Sequence, residues 1–158
     1  RQNILVFERG EGAASGDEFA SAENAVKGAY VLAEAANGEP DVLLIATGSE
    51  VQLAVQARET LAAEGIHARV VSAPSLEWFA EQDEAYRESV LPSSVKARVS
   101  VEAGSALSWH GIVGDAGRSV AIEHFGASAD YKTLFQKFGI TAEAVVEAAR
   151  ESLAAAQK

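Results

Sequence analysis

The sequence predicts an α/β domain with three layers, α/β/α, built on a mostly parallel five-stranded sheet whose first strand is antiparallel. Three observations lead there. Short apolar runs alternate along the chain with segments of helical period. One run, DVLLIAT at 41–47, is continuously apolar, as a strand covered on both faces requires. The first two strands are joined by only about seven residues, 34–40, too few for a parallel crossover, so they are expected to run antiparallel.

The elements follow in order. Residues 28–33 (GAYVLA) read as the first strand and 41–47 as the second. Residues 49–64 read as a helix, with Val51, Ala54, Val55, Arg58 and Leu61 at i, i+3, i+4 spacing and Gly65 as its stop. HARVVS at 67–72 is the third strand, and 76–82 and 84–90 are short helices ended by Pro92. KARVSVE at 96–102 is the fourth strand, 107–113 a short helix and SVAIE at 119–123 the last strand. A helix over 130–138 stops at Gly139. Thr141 caps the final helix, which runs to about residue 156 with Glu143 in its first turn, where acid suits the helix dipole.

Ahead of these elements, residues 8–27 are rich in Gly, Ser, Ala and acid. They read either as a linker with a helical turn near 18–25 or as an ordered strap over a neighbouring domain. The chain has 158 residues, room for one ordinary core, and its 48% hydrophobic content excludes a disordered chain. It has no cysteine, which removes disulfides and thiolate metal sites and fits a reducing cytosol. His67, His110 and His124 stand far apart, without the spacing of a zinc site. The net charge of −10 repels phosphates, so neither nucleic acid nor an anionic membrane is an expected partner. No apolar run approaches the roughly 20 residues of a spanning helix. RQNILVFERG lacks the pattern of a signal peptide. Methionine is missing even at position 1, so the reading is either an initiator removed along with more sequence or a piece of a longer chain.

Three stretches invite a chemical reading. In LLIATGSEV, Gly48 suits a strand-to-helix turn, Ser49 offers an N-cap, and Gln52 completes an S-x-x-Q capping box. The free amides of such a helix start can bind an anion. The three glycines of a dinucleotide fingerprint are absent, however, and Glu50 puts negative charge at the mouth, so the turn reads as architecture. Gly114-Asp115-Ala116-Gly117 begins like the Gly-Asp-Gly of a magnesium–thiamine diphosphate motif. Its third residue is Ala116 and every asparagine (Asn3, Asn24, Asn37) lies upstream, so it reads as a turn. Glu102, Glu123 and His124 fall at strand carboxyl ends, where open α/β sheets bind ligands. A carboxylate–imidazole pair there can do acid–base work; the structural alternative, a polar edge contacting another domain, is favoured. Trp78, Phe79 and Trp109 read as core or interface, Phe135 and Phe138 as packing, and His67 as exposed.

Several phrases together resemble one family in order along nearly the whole chain. Arg1-Gln2-Asn3 is similar to the SRQN segment that closes the middle, pyrimidine-binding domain of transketolases, without its serine. GAYVL at 28–32, IATGSEV at 45–51, ARVVS at 68–72 before Pro74, YRESVLP at 86–92, VEAG at 101–104 and FGASA at 125–129 resemble phrases of the transketolase C-terminal domain. The resemblance implies residues 1–27 as the end of the preceding domain and linker, and 28–158 as the C-terminal domain. It implies an enzyme that uses thiamine diphosphate and Mg2+ to transfer a two-carbon ketol unit between sugar phosphates, as a cytoplasmic homodimer. The cofactor then belongs to domains outside this chain, so no catalytic, cofactor or metal residue is expected within it, and the isolated chain is expected to be inactive. One substrate contact carries over: Arg1 matches the arginine that holds the substrate phosphate, and a guanidinium can make two parallel bonds to phosphate. The chain's own partners are then the remaining transketolase domains and a second subunit. Two other readings remain open: a regulatory module holding a small anion or nucleotide near Gly48, Gly104 and Glu123, and a stand-alone subunit of a split enzyme.

Overall fold

The computed structural model describes residues 19–157. Arg1, the proposed strand exit at 1–5 and most of the 8–27 segment lie outside the described residues. The helical turn predicted over 18–25 is found slightly later, as a 3-10 turn over Ala22–Lys27 whose start is capped by Ser21.

Five strands form one sheet: β1 (Tyr30–Ala33), β2 (Val42–Ala46), β3 (Ala68–Ser72), β4 (Arg98–Val101) and β5 (Arg118–Val120). Their spatial order is β1-β3-β2-β4-β5. β2 is parallel to both β3 and β4, and β4 is parallel to β5. β1 alone is antiparallel, and its partner is β3 rather than β2. The short 34–40 link therefore gave the direction of β1 correctly, although it does not close a hairpin with β2. β2 is the central strand, flanked by β3 and β4, so β1 has no open side of it to join.

Alternation along β2 divides the core. Val42, Leu44 and Ala46 face one side with Val70, Val99, Val101 and the buried residues of two helices, α1 (Val51–Ala63) and α6 (Ala142–Ala156). Leu43 and Ile45 face the other side with Val71, Phe79, Val90, Trp109 and Val113. Those come largely from three short helices, α2 (Leu76–Ala80), α3 (Glu84–Val90) and α4 (His110–Val113). Every residue of β2 is fully buried, which explains why its sequence has no polar alternation. The remaining helix, α5 (Tyr131–Phe138), lays Phe135 and Phe138 against the α1/α6 side, as their spacing predicts.

Helix ends follow their caps. Side-chain oxygens of Ser75, Asp83, Asp130 and Thr141 accept from backbone amides at the starts of α2, α3, α5 and α6. The capping box predicted at Ser49 and Gln52 does not form. α1 begins at Val51 after a 3-10 turn over Gly48–Glu50, and no side chain caps it. Ser49 Oγ instead donates to Glu50 Oε1 at 3.2 Å, because the buried carboxylate takes the hydroxyl. His67, expected to be exposed, is half-buried. Asp41 clamps it by accepting from the His67 amide at 2.8 Å while donating its own amide to the His67 carbonyl.

α6 is fastened to the sheet by one hydroxyl. Ser152 Oγ, fully buried, accepts from the Arg98 amide at 2.9 Å and donates to the Ala116 carbonyl at 2.8 Å. Ser152→Ala is expected to leave the Arg98 amide unpaired and the Ala116 carbonyl with only the long 3.4 Å bond from Arg118 Nη1, at a cost of about 1–3 kcal/mol in chemical denaturation. An unchanged denaturation midpoint would show that water replaces the hydroxyl.

Candidate functional site

In an open parallel sheet, ligands bind outside the strand carboxyl ends, where successive connections leave on opposite faces. Here that place lies between β2 and β4. The chain leaves β2 towards α1 on one face, and leaves β4 towards a 3-10 turn (Ala106–Trp109) and α4 on the other. The first wall of the crevice is Thr47–Glu50 and the second is Glu102–Trp109.

Gly48 forms the first wall with φ +61°, a conformation that side chains oppose, so the prediction of a glycine-dependent turn holds. The turn closes on its own carboxylate: a Cβ at Gly48 would stand 3.2 Å from Glu50 Oε2. Glu50 is only 6% exposed. Burial pushes its carboxyl above the usual carboxylate range, and the neighbouring Glu102 charge pushes it further, against the hydrogen bonds it receives. On the second wall, Trp109 Nε1 donates to Glu102 Oε2 at 2.7 Å. Trp109 is buried, as expected of a core aromatic, and so is Phe79, while Trp78 keeps 38% of its surface.

The three residues predicted at the strand ends are divided among separate tasks. Glu102 is held by Trp109. Glu123 Oε1 accepts from the Ala106 amide at 2.8 Å and ties the loop after β5 to the 3-10 turn. His124 turns its Nδ1 to the Phe125 carbonyl at 2.8 Å and its ring edge-on to Phe138, with centroids 4.5 Å apart. The carboxylate–imidazole pair considered from the sequence has no hydrogen bond joining it: Glu123 and His124 are both turned to backbone. Glu50 was recognised only as a charge at the mouth. Its burial was missed, although the sequence held a signal that its charge has a like neighbour: GSE and VEAG each put a glutamate just beyond a strand.

Gly114-Asp115-Ala116-Gly117 lies at the amino end of β5, the opposite end of the parallel strands from the crevice. It is a turn before β5 in which the Gly117 amide donates to the Gly114 carbonyl at 3.1 Å. A cavity of about 570 Å³ beside it is lined by Lys96, Arg98 and Asp115 among others. The Arg98 donors are spent on the carbonyls of Leu91, Pro92, Val95 and Ile112, which makes the residue a brace for these loops. Among the described residues no group of three or more His, Asp or Glu side chains could hold a metal ion. The residues present do not fit a magnesium–diphosphate site: Asp115 sits exposed on its turn, and no asparagine follows it. Among the described residues no helix is long and apolar enough to cross a membrane.

Sheet order, connections and crevice define an open-sheet α/β domain of the doubly wound class, whose ligand-binding position is filled by its own carboxylates. The family model for the transketolase-like C-terminal domain matches residues 28–141, and the chain belongs to that family. It is 56% identical over 139 residues to the transketolase of Mycobacterium leprae (strain TN), covering 86% of this chain and 20% of that protein. The structure of transketolase from Leishmania mexicana matches with a TM-score of 0.78 at 39% identity, over 85% of this chain and 19% of that one. Transketolase from Pichia stipitis in complex with sedoheptulose-7-phosphate matches with a TM-score of 0.75 at 38% identity, over 87% of this chain and 19% of that one. The chain therefore spans about a fifth of the length of the relatives it matches.

Proposed function

We propose that this chain is the C-terminal, architectural domain of a transketolase, with residues 1–27 closing the preceding domain and 28–158 forming this one. The whole enzyme, in this reading, is a cytoplasmic homodimer that moves a two-carbon ketol unit between sugar phosphates. Thiamine diphosphate supplies the carbanion chemistry, with Mg2+ at its diphosphate, in domains outside this chain. The family match over residues 28–141 carries the reading, and the sugar phosphate bound to the Pichia stipitis relative supports the substrate class. Arg1, outside the described residues, is the one position proposed to touch substrate, through its phosphate.

The strand ends support an architectural role. Glu102, Glu123 and His124 are each committed to contacts within the domain. Near them the surface offers exposed apolar side chains, Leu107 on the second wall, then Phe125 and Tyr131 in the segment after β5, Phe125 being 97% exposed. Exposed apolar side chains of this size mark contact surfaces when they lie together, and the remaining domains or the second subunit are the partners proposed for them. Two carboxylates at the crevice disfavour the alternative of an anion- or nucleotide-binding regulatory module.

Calorimetry tests this on the isolated chain. Thiamine diphosphate with Mg2+ is expected to give no binding heat, and micromolar affinity would overturn the architectural reading.

A further inference from the structure

The cavity of about 570 Å³ lies beside the amino ends of β4 and β5, at the other end of the parallel strands from the crevice. Its volume is ordinary for a small-molecule pocket. Its lining is divided. Ile112 and Val113 of α4, with Ala155 and Ala156 at the end of α6, give it an apolar wall. Lys96 and Arg98, at the start of β4, set two cations against one carboxylate, Asp115. The balance of the lining is positive, on a chain whose net charge is −10.

Neither cation is neutralised by contact. Among the described residues neither forms an ion pair. Arg98 is bonded to peptide carbonyls alone. Glu88, whose charge acts on both, is itself held by the Ser93 amide and hydroxyl at 2.7 and 2.8 Å. Gly111 lines the same cavity from within α4. It lies outside the left-handed region, and a Cβ added to it would meet nothing within 4 Å. Neither backbone nor packing calls for glycine there, and glycine weakens a helix. Its effect is to keep the cavity wide.

We propose that this cavity binds a small amphiphilic monocarboxylate, in chemical class a medium-chain fatty acid. The carboxylate meets Lys96 with the Arg98 charge behind it, and the aliphatic chain lies along Ile112, Val113 and the end of α6. The head gains a charge-assisted bond, and the apolar wall takes the chain out of water. Asp115 disfavours a multiply charged anion, and a phosphate would leave the apolar wall unused. The site is separate from the crevice and does not depend on the transketolase reading.

NMR on the amide-labelled chain tests it, with octanoate, octanol and inorganic phosphate as parallel probes. Octanoate is expected to give saturable shifts at Gly111–Ala116 and at Ala155 and Ala156, with octanol about tenfold weaker and phosphate without effect. Lys96→Gln, at an exposed position, should weaken octanoate by about fivefold and leave octanol unchanged. Gly111→Leu fills the open space and should abolish both. Octanol binding as tightly as octanoate would reduce the site to an apolar hollow and overturn the proposal. Shifts that do not saturate, or that gather at Leu107 and Phe125 instead, would also overturn it. The comparison of probes uses the unmodified chain, so it decides even if a variant fails to fold.

Discussion

Gly28→Ala is expected to be among the most damaging single-methyl changes in the domain. Gly28 precedes β1 with φ +85°, where an added Cβ would lie 2.3 Å from the Phe79 amide nitrogen and 2.4 Å from the Ser75 carbonyl oxygen. Both neighbours are backbone, and neither can rotate away. The Ser75 amide also donates to the Gly28 carbonyl at 2.9 Å, so the start of α2 is pinned against this one residue. The left-handed conformation alone costs a side chain about 1–2 kcal/mol. Separating α2 from β1 adds the loss of Phe79 packing, and together these reach about 4 kcal/mol or more, a large part of a typical domain's stability. Gly126→Ala is the control: a Cβ there meets nothing within 4 Å, and a change within about 0.5 kcal/mol is expected. Urea denaturation of the two variants measures the difference; similar midpoints would mean that the β1–α2 junction yields freely.

The second large effect is expected at Arg69. HARVVS reads as an ordinary strand, yet its arginine is 8% exposed. Its Nε and Nη2 donate to both oxygens of Glu34 at 2.8 and 2.9 Å, and its Nη1 to the carbonyls of Ser89 and Val90 at 2.9 and 3.1 Å. One guanidinium thereby joins the exit of β1, the start of β3 and the end of α3. Removing it in Arg69→Ala strands two carbonyl groups and leaves a cavity, for an expected loss of about 2–4 kcal/mol. Glu34 has a half-exposed side chain and can turn to water, so Glu34→Gln should cost less than about 1 kcal/mol. Equal losses in the two variants would place the energy in the ion pair rather than in the carbonyls of the α3 end.

These two residues mark what was legible in the sequence and what was not. The apolar run of β2, the alternation of strands and helices, and the cap at Thr141 are local signals, and each forms as read. Gly28 was read as the first residue of a strand that in fact begins at Tyr30, and the reason for a glycine there lies some 50 residues on, at Ser75 and Phe79. Arg69 drew no separate reading within HARVVS, because its partners come from β1's exit and α3 and no local pattern announces them. The partner of β1 was hidden for the same reason. Strand order depends on which edge of β2 remains open, and that is settled by the whole sheet. At the crevice, Gly48 was legible from its turn. The competition of Glu50 with the helix start for the Ser49 hydroxyl was not, since burial of Glu50 depends on the wall after β4.

In the function proposed above, this chain works as the architectural C-terminal domain of a transketolase. The most direct measurement is immunoprecipitation from cells that make it, with an antibody raised against residues 28–158. The precipitate is then assayed for ketol transfer between sugar phosphates with thiamine diphosphate and Mg2+. The account predicts cofactor-dependent transfer, carried by a polypeptide several times larger than 16.5 kDa. A precipitated polypeptide of about 16.5 kDa with no transferase activity and no associated catalytic chain would contradict it.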